Sequence, residues 1–139
     1  MNYEKAEKRL SDMNEKDILN DNDYEFLAEI AKSDDMCIKC DAADLLINYK
    51  TKQAVEILKT LSDDNDATVR ASAYDNMWVF EKQDFDEILR KAVSCESDGI
   101  ARSYAIFSLY DLYLQNDCDT AELIDFMHNL YKTEKEIGR

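Results

Sequence analysis

One eight-residue pattern returns three times along this chain at nearly constant spacing. It reads aspartate, two variable residues, an apolar residue, a base, two variable residues, alanine. The copies are Asp35 to Ala42, Asp66 to Ala73 and Asp98 to Ala105, in steps of 31 and 32 residues. Further columns keep the same register: Leu46, Met77 and Leu109; Tyr49, Phe80 and Leu112; and upstream Leu27, Leu58 and Leu89. Chance can supply one such column, but hardly six in one register. A period of this size is that of stacked repeats, in which each unit buries its apolar face only against its neighbours.

The units read as helix pairs. Proline is absent and glycine occurs only at Gly99 and Gly138, so the turn chemistry of sheets is missing. Outer helices are expected over Tyr24–Lys32, Ala54–Leu61, Phe85–Ser94 and Ala121–Tyr131. Each carries apolar residues at spacings of three and four. Inner helices are expected to begin after Asp35, Asp66 and Asp98, since a carboxylate there can accept first-turn N–H groups and complement the helix dipole. The links are short, which makes neighbouring helices antiparallel. Residues 1–139 form one domain on this reading: a capping region over 1–21, repeats over 22–131 and a polar, fraying tail over 132–139.

The second unit carries Leu58, Leu61, Asp63, Val69, Arg70, Ala73 and Met77. This resembles the short HEAT-like repeat of the phycobilin lyases, Leu-x-x-Leu-x-Asp-x-x-x-x-Val-Arg-x-x-Ala-x-x-x-Leu. The flanking units are looser, with Lys39 in place of the arginine and Ala101 in place of the valine. The likeness spans roughly residues 22–131. It implies an all-α, right-handed α-solenoid of about three and a half hairpins in the armadillo-like superfamily. Its inner helices would line a concave protein-binding surface. The lack of proline departs from longer HEAT units and bears on helix angles. Scaffold resemblance leaves function open.

A helix turns about 100° per residue, so each inner helix can be sorted by face. One arc is core: Ile38, Ala42, Leu45, Leu46 and Tyr49; Val69, Ala73, Met77 and Phe80; Ala101, Ala105, Leu109 and Leu112. A second ridge, Ala43 and Ile47, Tyr74 and Trp78, Ile106 and Tyr110, is expected between successive inner helices. Trp78 as an exposed anchor is the competing reading. Lys39, Arg70 and Arg102 lie between the arcs, and each is expected to reach an aspartate of an adjacent link, not a phosphate. The remaining strip comprises Asp41, Asp44, Asn48, Ser72, Asp75, Val79, Tyr104, Phe107 and Asp111. It joins steering charge to rings suited as contact hot spots, and it is the expected partner-binding site.

The formal net charge is −14, with 31 acidic against 17 basic residues. Such a chain repels phosphate backbones and anionic lipid, so the expected partner is a basic protein, with no nucleic acid and no membrane. The charged N-terminus and the absence of a long apolar run lead to an expectation of cytoplasmic residence. Cys37 and Cys40 form a Cys-x-x-Cys whose redox role stays open, and the register of Cys40 with Ala71 and Ser103 favours an ordinary small-residue position. One histidine, His128, gives no triad or metal set. The expectation is therefore a non-enzymatic adaptor with no cofactor, metal or catalytic residue. An immunity protein that neutralises a bacterial toxin, and a chromophore-handling protein like the phycobilin lyases, are the alternatives.

Overall fold

Polar residues that can cap a helix stand just before most of the apolar-periodic stretches, and the chain folds accordingly. The computed structural model describes residues 2–136, and all regular structure within them is helical. The elements are α1 (Tyr3–Met13), α2 (Asp21–Ala31), α3 (Met36–Leu46), α4 (Lys52–Ser62), α5 (Ala67–Asp75), α6 (Lys82–Cys95), α7 (Gly99–Gln115) and α8 (Ala121–Glu136). The three repeat aspartates do cap. Asp35 accepts the Ile38 N–H at 3.1 Å, Asp66 that of Thr68 at 2.7 Å and Asp98 that of Ala101 at 2.9 Å. Asn20 and Asp23 close a reciprocal capping box at α2.

Consecutive helices pack as pairs, α2 with α3, α4 with α5 and α6 with α7. The helices α1, α3, α5 and α7 also touch in series, and α2 packs on α4. Ala42, Ala73 and Ala105 are each 0% exposed. An alanine at that point lets two helix axes approach closely, and a larger side chain would hold them apart. Leu27, Leu58 and Leu89 are likewise fully buried, as are Leu46, Met77 and Leu109. At the first end of the row, α1 lays Ala6, Leu10 and Met13 into the core. The Tyr49 hydroxyl stands 2.6 Å from the carbonyls of Met13 and Lys16 and closes off the end of that helix.

The basic column forms a ladder that joins each unit to the next. Lys39 donates to Asp64 at 2.6 Å in the α4–α5 link. Arg70 takes Glu96 of the α6–α7 link with two nitrogens, at 2.7 and 3.1 Å, and also donates to the carbonyls of Asp64 and Asn65. Arg102 pairs with Glu134 of α8 and donates to the Val93 carbonyl. All three cations are thereby engaged inside the protein.

Helix ends differ from the sequence expectation in three places. The first is α3, which ends at Leu46, so Tyr49 is buried from beyond the helix. The second is α5, which ends at Asp75, leaving Met77, Trp78 and Phe80 in the turn that follows. There the Asn76 amide donates to the Ser72 carbonyl at 2.8 Å and to Asp44 of α3 at 2.9 Å, which competes with continuation of the helix. Trp78 is half-buried against the core edge. Asn116 repeats the device at the end of α7, donating to the Leu112 carbonyl at 2.8 Å. Third, the expected polar tail is helical from Lys132 to Glu136, with Glu134 held by Arg102. Residues 137–139 lie outside the described residues.

Ser108 occupies in α7 the register place of Asn76. Its side chain is shorter, only 2% exposed, and its hydroxyl has no hydrogen-bond partner among the described residues. Ser108→Ala is therefore expected to raise stability by about 1 kcal/mol, since a buried unsatisfied hydroxyl is removed and alanine favours helix. Thermal melts check this, and an unchanged or lowered Tm refutes it.

Candidate functional site

The helices α3, α5 and α7, packed in series, leave one surface that neither the core arc nor the ladder uses. Asp41 and Asp44 on α3, Asp75 at the end of α5, and Tyr104 and Asp111 on α7 are exposed there, with Ser72 half-buried between them. A groove of about 500 Å³ runs across α3, α5 and α7. Its lining joins Asp44, Asp75 and Tyr104 to the small residues Ala67, Ala71 and Ser72. A shallower depression of about 270 Å³ continues it towards α1, where Asp41 and Asp44 meet Glu7, Ser11 and Asn14.

The electrostatics of this surface are uncompensated. Among the described residues no lysine or arginine forms an ion pair with Asp41, Asp44, Asp75 or Asp111. Partial burial raises the Asp75 carboxyl above its ordinary range, and the charges of Asp44 and Asp111 add to it. Asp41 is raised likewise, by burial first and then by Asp44, Glu7 and Asp35. Both carboxylates are thus crowded by like charge, and a cation brought near them would offset it.

The expected strip is not one surface. Val79 lies beyond the end of α5 and lines a separate cleft near Lys50, Thr51, Lys52 and Gln115, so it is removed from the groove. Asn48 is exposed in the turn after α3 and lines none of these hollows. Phe107 faces a different, apolar groove of about 550 Å³ between α7 and α8, with Ile106, Tyr110, Ile124, Met127 and Tyr131. Asp44 also carries structure, since it accepts the Asn76 amide.

Two parts of the site escaped the sequence reading. Glu7 and Ser11 on α1 and Asn14 just after it share one face at spacings of four and three, a signal available in the sequence but set aside with the cap. The apolar groove depends on where α8 stands. Arg90 of α6 helps to hold α8 there, donating to Glu122 at 2.9 Å and lying 4.9 Å over the Phe126 ring, together with the Arg102–Glu134 pair and the buried Leu123. Arg90 also bonds the hydroxyl of the fully buried Tyr113, which donates to Asp86 at 2.8 Å.

All four cysteines are unpaired, and burial followed by the charges of Asp44, Asp66 and Asp41 pushes the Cys40 thiol up, away from the thiolate a redox motif needs. Among the described residues no group of three or more histidine, cysteine or acidic side chains is placed to hold a metal ion, and no helix is long and apolar enough to cross a membrane. Comparison with family models, curated proteins and solved structures returns no match.

Proposed function

We propose that this chain is a short solenoid of HEAT-like hairpins that works as a non-enzymatic adaptor, holding a basic protein against the acidic groove over α3, α5 and α7. The periodic burial of Ala42, Ala73 and Ala105 and the serial contact of the inner helices support the repeat reading. One observation carries the function: Asp44, Asp75 and Tyr104 converge on a groove whose carboxylates have no cationic partner. Crowded, unpaired carboxylates of this kind attract lysine or arginine and steer such partners from a distance.

Crosslinking tests the reading. A photoreactive residue replaces Tyr104 beside the groove or Glu29 on the exposed outer face of α2, in cells that make the protein. A basic protein is expected to attach at position 104 and not at 29. Asp41→Lys with Asp75→Lys is expected to cut that yield about tenfold, with helical circular dichroism unchanged. Asp44 is left intact because Asn76 depends on it. Equal capture at both positions, an acidic captured protein, or full yield from the lysine variant would sink the proposal.

A further inference from the structure

Large apolar side chains lie open together along α7 and α8. Phe107 is 68%, Tyr110 50%, Ile124 62% and Tyr131 63% exposed, around a groove of about 550 Å³. Repeat register explains why it exists. On α3, the face bearing Cys40 and Asp44 meets α5, through the Thr68 carbonyl and the Asn76 amide. Counting on by one repeat gives Ala71 and Asp75 on α5, the helix that packs on α7. Counting on again gives Ser103 and Phe107, with Ile106 and Tyr110 as the counterparts of Tyr74 and Trp78. The face of α7 that would meet a further inner helix is therefore apolar and uncovered among the described residues, and α8 stands as one wall of the groove. The opposite end of the row is closed by α1, an amphipathic helix that buries Ala6, Leu10 and Met13 and leaves Lys5 and Lys8 in solvent.

We infer that the α7–α8 groove seats an amphipathic α-helix of the partner, with a leucine-type apolar stripe and lysine or arginine beside it. Such a helix takes the next place in the row α1, α3, α5, α7, as helix-in-groove recognition requires. The basic flank rests on the acidic-groove reading given above; the apolar seat does not. Charge selects this occupant over a second copy. Asp111 lies one helical turn from Phe107 on α7 and Asp125 one turn from His128 on α8, both exposed and outside the apolar lining, and two copies paired here would bring like carboxylates together on chains of net charge −14. A basic helix meets the same carboxylates favourably. Its charges also continue onto Asp75, which lines the neighbouring groove with Tyr104 one helical turn from Phe107.

The test uses the full chain and a fluorescent helical peptide of about 18 residues, five turns, with leucines on one face and lysines on the other. A scrambled isomer of equal composition is the control, and anisotropy is the readout. The amphipathic isomer is expected to bind about tenfold more tightly than the scrambled one. Phe107→Ser and Ile124→Ser should each erase most of that preference. Ile18→Ser, at an apolar side chain 82% exposed elsewhere, should leave it intact. Equal affinity for both isomers, or a preference that survives Phe107→Ser and Ile124→Ser, overturns the inference. So does a dimer in sedimentation that Phe107→Ser disperses, because a second copy would then hold the groove. The acidic groove is judged separately: if Asp41→Lys with Asp75→Lys weakens both isomers equally, that reading stands whatever becomes of this one.

Discussion

Replacing Arg70 with methionine is expected to cost about 3–5 kcal/mol at pH 7, the range for breaking a buried ion pair by removing one partner. The Glu96 side chain is 4% exposed, and its two oxygens take Arg70, the Tyr74 hydroxyl at 3.2 Å and the Asp98 N–H at 2.9 Å. The Arg70 hydrogen bond comes first in holding this carboxyl down to about 2 from the usual 4.5, with the Asp98 N–H helping. A carboxyl depressed by folding stabilises the fold fully above its unfolded value. That contribution therefore fades in the wild type as pH falls from about 4.5 towards about 2. In Arg70→Met the attraction is gone and burial raises the same group, so the loss is already present at neutral pH. The gap between variant and wild type should narrow as acid protonates Glu96. Urea melts at pH 7 and near pH 3 measure both effects. Arg70→Met combined with Glu96→Met should recover most of the loss, because no charge is left buried. A cost below about 1 kcal/mol for the single variant would mean that the pair behaves as an exposed surface bridge.

Phe85→Ala is expected to cost about 3–5 kcal/mol, and to lower Tm by about 10–15 °C in a domain of this size. Phe85 is 0% exposed and meets Phe80 edge to face, with ring centroids 5.3 Å apart and planes at 78°. Removing the ring forfeits its transfer from water and leaves a cavity that helical neighbours close only in part. The turn from Asn76 to Glu81 also loses the partner that holds Phe80 inward. Phe107→Ala is the matched control. The same truncation on a side chain 68% exposed should change stability by no more than about 0.5 kcal/mol. Similar losses at the two positions would contradict the burial described for both.

The alanine column was legible because it combines two independent signals, constant spacing and small size at the same place in each unit. Capping aspartates were legible for a local reason: the acceptor and the N–H groups it serves lie within three residues. The base ladder could be anticipated in kind, but its acidic partners sit 25, 26 and 32 residues away, and only Asp64 is an aspartate of a link. Helix ends were not legible where a side chain from another helix decides them. Asn76 stops α5 with help from Asp44, and that contact moves Val79 off the strip. Phe107 was separated from the acidic residues for a similar reason. The site of α8 follows from Arg90, Tyr113, Glu122 and Phe126 meeting across three helices, and no spacing along the chain announces that meeting.

Every rung of the base ladder points forward in the chain. Lys39 waits for Asp64, Arg70 for Glu96 and Arg102 for Glu134. Each cation precedes in sequence the carboxylate that neutralises it, so a chain cut before Asp64, Glu96 or Glu134 would leave the corresponding cation without its carboxylate. Loss of α8 would therefore be felt one hairpin earlier, where Arg102 would stand without Glu134.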